Sequence, residues 1–274
     1  MAAPTRGRHM VQSRVWDMAR SRVDYDQIAP SYDQRSGALQ YEGVASTLLF
    51  LARAGPAERI LEVGCGTGHW LAELRAASPH VYGLDSSIRM LEQSNRDLRD
   101  RLVCGEAGYL PYAEAVFDLI FCVNAFQYFT HKQEFITGAA EALRSGGTVA
   151  IIGMDPHTRQ DDWSLYHYFE GTREADLARY PSADSIKGWM VAAGLVQVCS
   201  GIAEHKVHSL TGREVLQSPF LQKGGTSQLA LLTEEADAAG LERIKGDLLQ
   251  AEKTEVPLEF VVDISLALVT GRAP

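Results

Sequence analysis

Arg59-Ile60-Leu61-Glu62-Val63-Gly64-Cys65-Gly66-Thr67-Gly68-His69-Trp70 decides how this chain folds. Arg59 to Val63 is a short apolar run of strand character, and Trp70 to Ala77 returns to helical spacing before Pro79. Between them stand glycines at alternate positions. A chain turning sharply from strand to helix needs their backbone freedom, and a ligand approaching bare backbone needs the missing side chain. The stretch reads as strand, tight turn, helix, and a turn of this kind alone is also compatible with a purely structural role.

The same rhythm extends outward. Upstream, Val44, Leu48, Leu49 and Leu51 recur at helical spacing between Ala38 and Ala54, and Gly55-Pro56 stops the element. Downstream come His80–Asp85 (strand), Ser87–Leu98 (helix), Arg101–Cys104 and Phe117–Val123 (strands), Lys132–Leu143 (helix) and Thr148–Met154 (strand). Strands alternating with helices predict parallel β-α units with right-handed crossovers. Beyond them, Ala183–Ala193 reads as a helix, Val196–Val207 as a strand and Phe260–Thr270 as a last strand. The interval 209–259 is too long for a plain connection and contains the helical pattern Thr233–Ala251, so it is expected to fold as a cap. The predicted divisions are an N-terminal segment (1–37) packing near the ligand, a core (38–208), the cap (209–259) and a final core strand (260–274).

Composition excludes several function classes. With 26 Lys+Arg against 35 Asp+Glu the net charge is −9, which disfavours nucleic acid, whose binding rests on basic contacts to phosphate. The hydrophobic share of 46% supports a folded core. Cys65, Cys104, Cys122 and Cys199 show no C-x-x-C spacing, so neither a zinc site nor a disulfide framework is expected. Met1 to Arg22 is polar and Arg-rich with no signal-peptide core, and no run of eighteen apolar residues occurs. The expectation is a cytoplasmic protein without a membrane partner, monomeric or homodimeric.

Asp85 ends the strand after the glycine turn, where a carboxylate can accept both hydroxyls of a ribose. Taken alone it is equally an acidic residue favoured at the start of the following helix. At this point the chain resembles the class I S-adenosylmethionine-dependent methyltransferases, in their small-molecule branch, from about Tyr25 to Met154. Glu62-Val63-Gly64-Cys65-Gly66-Thr67-Gly68 is similar to that family's first motif, and His69 stands where a dinucleotide fingerprint would place its third glycine. Asp85 to Leu91 is similar to the ribose and adenine segment, Gly105-Glu106-Ala107 with Leu110-Pro111-Tyr112 to the adenine edge, and Leu143 to Gly147 to the turn before strand five, with Ser145 where proline is commoner.

The resemblance implies a Rossmann-like, mostly parallel seven-stranded α/β sheet with helices on both faces, and S-adenosyl-L-methionine as cofactor with S-adenosyl-L-homocysteine as product. It implies that backbone at Gly64, Cys65, Gly66 and Gly68 lies under the amino-acid part of the cofactor, with Glu62 positioning the loop or the ammonium. Asp85 and Ser86 would serve the ribose, and Met90, Glu106 and Ala107 the adenine. Asn124 follows strand four in the same cleft, and Tyr25 and Tyr32 would close it. For Met90 plain helix core is the alternative, and for either tyrosine a surface position.

Methyl transfer is an in-line displacement at a sulfonium, so the protein must align the acceptor, exclude water and manage one proton. The places to look are the segments after strands four and five. There Gln127 and Tyr128 stand where related enzymes often carry histidine, so their base does not transfer. His157 is the candidate base, Tyr128 the residue that orients the acceptor, and Gln127, Trp163 and Tyr166 candidate substrate contacts. The aromatic run Trp163 to Phe169 is either a lid on the substrate or core beneath the sheet end. Arg159, Arg173 and Arg179 are candidates for a substrate carboxylate or ordinary surface charge. His205 and His208 make no metal site without further ligands. Two rivals share the fold: a protein using the cofactor structurally while catalysing a cyclisation or elimination, and a non-enzymatic cofactor sensor.

Overall fold

The computed structural model describes Val23, Tyr25, Asp26, Ala29 and residues 41–54, 57–158 and 160–274. Tyr32, Arg159 and most of the segment 1–37 lie outside the described residues. The centre is one eight-stranded sheet built from β1 (Arg59–Val63), β2 (His80–Asp85), β3 (Leu102–Cys104), β4 (Phe117–Val123), β5 (Leu143–Met154), β6 (Asp162–Trp163), β7 (Val196–Thr211) and β8 (Glu259–Arg272). The spatial order is β3-β2-β1-β4-β5-β8-β6, with β7 also pairing β8. The first five strands are parallel, and β8 runs antiparallel to β5, β6 and β7. The expected seven strands are present, and β6 adds a two-residue strand too short for any periodicity to announce.

The central strands are apolar on both faces because both are covered. Ile60, Leu119, Phe121, Ala150 and Ile152 face one layer, where α1 (Glu42–Arg53) and α2 (His69–Leu74) supply Val44, Leu48, Leu71 and Leu74. Leu61, Val63, Ile120, Cys122, Val149 and Ile151 face the other, under α4 (Lys132–Ala142) and α7 (Ala183–Ala192) with Phe135, Ile136 and Met190. Between these lie α3 (Ile88–Gln93), α5 (Ser164–Tyr168) and α6 (Thr172–Arg179).

The insertion before the last strand is narrower than 209–259, because β7 continues to Thr211 and β8 starts at Glu259. Residues 212–258 carry α8 (Ser227–Ala230) and the long helix α9 (Glu234–Thr254), capped by the Thr233 hydroxyl accepting from the Ala236 N–H. Val215, Leu221, Leu229, Leu232, Ile244 and Leu248 are buried in the same apolar cluster as the sheet. A side chain at Gly240 would meet the Phe169 ring at 2.3 Å, so α9 lies directly on the aromatic run. The insertion is thus welded to the core, and the aromatic run is partly core: Leu165 and Phe169 are fully buried, while Tyr168 stacks on Phe260 with centroids 5.9 Å apart.

Candidate functional site: two adjoining cavities

The glycine turn is drawn onto the end of β2 by backbone bonds. Gly64 and Cys65 N–H both donate to the Leu84 carbonyl, at 2.7 and 3.1 Å. Gly64, Gly66 and Gly68 all have positive φ, and a Cβ at Gly64 would stand 2.4 Å from that of Ala125. Asp85 holds the turn from the other side: its Oδ2 accepts from Gly66 N–H and its Oδ1 from Ser87 N–H, each at 2.8 Å. Each oxygen retains lone-pair capacity, so Asp85 braces the turn and the start of α3 while still presenting acceptors outward. Ser87 caps α3 by accepting from Met90 N–H at 3.1 Å, and its hydroxyl meets Asp26 Oδ1 at 2.5 Å. That bond ties the N-terminal segment to the site.

A cavity of about 250 Å³ opens over this turn. Of the predicted cofactor residues, Tyr25, Gly64, Gly66, Asp85, Ser86, Met90, Glu106, Ala107 and Asn124 line it, together with Tyr128. Glu62, Cys65 and Gly68 do not. Cys65 turns its thiol inward, where a Cβ at Gly83 would stand 2.7 Å from the sulfur, and Gly68 serves as the left-handed residue that starts α2. Glu62 is buried beneath the turn with Oε2 lacking a hydrogen-bond partner among the described residues. Asn124, with φ 50°, bends the chain out of β4 so that residues 124–129 pass between the two cavities.

The second cavity, about 240 Å³, shares Val23, Tyr25, Asn124 and Tyr128 with the first. Gln127 and Trp163 line it. Its remaining wall comes from Tyr41, Met154, Tyr180, one face of β7 and β8, and the insertion through Ser218, Phe220 and residues 224–228. Tyr25 and Tyr128 meet edge to face across the junction, ring centroids 5.2 Å apart.

Two predicted residues fall elsewhere. His157 lines neither of these two cavities; its ring Nε2 lies 2.8 Å from the Tyr180 carbonyl, which can only accept, so this nitrogen carries a proton and anchors a loop. The placement after β5 holds, but the short helical turn Pro156–Thr158 swings the ring outward. Tyr166 likewise lines neither, and its hydroxyl donates to Asp176 Oδ2 at 2.7 Å. Burial first, and then the Asp176 charge, pushes that hydroxyl upward in pKa.

Asp176 is the centre of a buried polar cluster. It also accepts from Gln228 Nε2 at 2.7 Å and pairs with Arg179, whose guanidinium lies 5.7 Å from the Tyr128 ring centre and 5.6 Å from that of Tyr180. Helix α6, the insertion and the junction tyrosine are thereby linked.

Residues 60–147 match the family described as a methyltransferase domain. Over 153 residues the chain is 26% identical to a demethylmenaquinone methyltransferase of Thermotoga maritima, covering 53% of this chain and 66% of that protein. It is 28% identical over 199 residues to a malonyl-[acyl-carrier protein] O-methyltransferase of Hahella chejuensis, covering 68% of this chain and 70% of the relative. Residues 60–147 form a methyltransferase domain of the class I S-adenosylmethionine-dependent kind. A crystal structure from Anabaena variabilis, provisionally described as a methyltransferase of an antibiotic biosynthesis pathway, has the same fold. Its TM-score is 0.63 at 20% identity, over 83% of this chain and 96% of that one.

S-adenosylmethionine is the cofactor of this methyltransferase, and the first cavity fits it. The Gly64 backbone is bare where a side chain would collide, Asp85 offers carboxylate oxygens, and the orphaned Glu62 Oε2 marks a buried acid short of a partner. Burial raises Glu62 well above the ordinary carboxylate range, with the Asp85 charge adding to it, and burial also raises Asp85, against bonds from Ser87 and Gly66 that lower it. A cationic ligand nearby relieves both. Among the described residues no group of side chains could hold a metal ion, and no helix is long and apolar enough to cross a membrane.

Sequence reasoning missed Lys206 and His208 as cavity residues. The signal was the strand alternation of β7, which puts 206, 208 and 210 on one face.

Proposed function

We propose that this methyltransferase transfers the methyl group of S-adenosylmethionine to a small, largely apolar acceptor held in the second cavity, with residues 212–258 as its cap. The observation that carries this reading is the junction: the two cavities meet at Tyr25, Asn124 and Tyr128, so a methyl donor in one faces an acceptor in the other. The bound cofactor supplies an electrophilic methyl on a sulfonium. The chain's own work is alignment and water exclusion. Gly64 and Gly66 give backbone contact, Asp85 holds the ribose, Glu106 and Ala107 the adenine edge, and Met90 packs on the ring. The N-terminal segment closes the cleft through Tyr25 and the Asp26–Ser87 bond.

Tyr128, pinned between Tyr25 and Arg179, orients the acceptor by its hydroxyl, while Gln127 and Trp163 contact it. His157 and Tyr166 are reassigned from chemistry to scaffolding. Relatives named for methyl transfer support this reading over a cyclase or a sensor. The acidic balance supports a small molecule over nucleic acid, and the free thiols of Cys65, Cys104, Cys122 and Cys199 are compatible with the cytoplasm. Incubation with S-adenosylmethionine and a metabolite extract tests it. Release of S-adenosylhomocysteine together with a product heavier by one methylene is expected; cofactor binding with no turnover on any fraction would favour the structural or sensing rivals.

A further inference from the structure

We infer that the second cavity selects an elongated acceptor with an apolar body and an anionic head group, carboxylate or phosphate, the head being held by Lys206 and His208 away from the methyl-transfer junction. The inference rests on the methyl-transfer reading for which end of the acceptor reacts. It stands on the register of the sheet. Lys206 pairs with Ile264, His208 with Val262 and Leu210 with Phe260, so these side chains share the face that walls the cavity. Trp163 of β6 pairs with Val262 from the other side, completing a row His208–Val262–Trp163 across the cavity wall.

That wall is otherwise apolar, and its two basic groups are uncompensated. Among the described residues, neither side chain makes a hydrogen bond or ion pair; Lys206 Nζ sits 4.7 Å from the Tyr41 ring centre. The nearest acid on the same face, Glu204, turns away to the Gly43 and Val44 N–H groups at 2.7 and 3.2 Å. Its charge is still felt at Tyr41, whose hydroxyl is pushed up to about 12 by burial and then by Glu204. By contrast His205, one residue away on the opposite face, is matched to Asp263 at 2.7 Å. In a chain of net charge −9, a lysine left unmatched against an aromatic and apolar wall is placed to receive an anion. Imidazole can add an N–H in any protonation state.

The register also sets a length. Leu266 pairs with Met154 at the end of β5, beside the junction, and Ile264 and Val262 lie two and four residues further along β8. At about 3.4 Å per residue the two basic groups stand roughly 7 and 14 Å along the strand from Leu266 at the junction end. This suits an acceptor whose anionic group is separated from the methylated atom by a medium-length apolar body.

The test uses the full chain and calorimetric titration with decanoate, decyl phosphate and neutral 1-decanol, each with and without saturating S-adenosylhomocysteine. Both acids, or one of them, should bind at least about tenfold more tightly than decanol, the better one naming the head group. Lys206→Met should erase that preference while leaving decanol and S-adenosylhomocysteine affinities unchanged, and His208→Phe should reduce it partly. Equal affinity of wild type for acids and alcohol, or a uniform loss for all three in Lys206→Met, would overturn the inference. Failure of S-adenosylhomocysteine to bind would instead strike the methyl-transfer reading, with the acid preference still read in its absence.

Discussion

The two halves of the site are built by different means. The cofactor side is made of backbone and close sequence neighbours: Gly64, Gly66 and Asp85 lie within two consecutive β-α units, and the Gly64 and Gly66 N–H groups donate to the Leu84 carbonyl and the Asp85 carboxylate at 2.7 and 2.8 Å. The acceptor side is assembled from side chains scattered between Val23 and Leu266, with Gln228 reaching Asp176 across 52 positions. The first half is a rigid frame that one motif specifies. The second is a packed interior surface whose shape depends on how the insertion seats against the sheet, so it is the half in which selectivity can vary while the cofactor frame stays fixed.

The largest effect that would sharpen this contrast is at Asp176. Asp176→Ala strands the Arg179 guanidinium and removes the acceptor for Tyr166 and Gln228, and it should cost about 3–5 kcal/mol of stability in denaturant unfolding. Under conditions where the variant remains folded, acceptor KM should rise more than S-adenosylhomocysteine Kd. Equal damage to both would break the division.

On the cofactor side, Glu62→Gln should alter the pH dependence of stability. The folded protein keeps a proton on Glu62 that the unfolded chain releases, so stability falls as pH rises from the ordinary carboxylate range towards the raised folded value. Glu62→Gln should flatten that fall, each pKa unit being about 1.4 kcal/mol. Tm measured from pH 4 to 8 without cofactor reads it, and an unaltered slope would show that Glu62 is already matched. The smallest effect belongs to His157→Ala. Losing one hydrogen bond should cost about 0.5–1.5 kcal/mol of stability, with none of the roughly 10²–10⁴-fold rate loss that removal of a general base brings.

What was legible in the sequence follows the same division. The bounds Arg59–Val63, His80–Asp85 and Phe117–Val123 emerge from apolar runs because buried parallel strands need no partner information to be recognised. The glycine turn and Asp85 are legible because their chemistry is local. His157 could be placed after β5 from the pattern, yet ring direction depends on the turn Pro156–Thr158 and on a carbonyl 23 positions away. Arg179 was visible only as one arginine among several, since its neighbours Tyr128 and Ser227 are distant in the chain. A separately folded insertion was predicted from its length and the helical pattern Thr233–Ala251, and its fusion with the core through Ile244 and Leu248 required the packing to be seen.

The division of labour is tested most directly by measuring S-adenosylhomocysteine Kd and acceptor KM side by side in Asp85→Ala and Trp163→Ala. Asp85→Ala removes charge-assisted bonds of about 1.5–3 kcal/mol and should weaken S-adenosylhomocysteine on the order of ten- to a hundredfold with acceptor KM little changed. Trp163→Ala should raise acceptor KM and leave S-adenosylhomocysteine Kd as it was, since Trp163 lines only the second of the two cavities. Unchanged Kd in a folded Asp85→Ala protein, or parallel losses of both quantities in Trp163→Ala, would contradict the account.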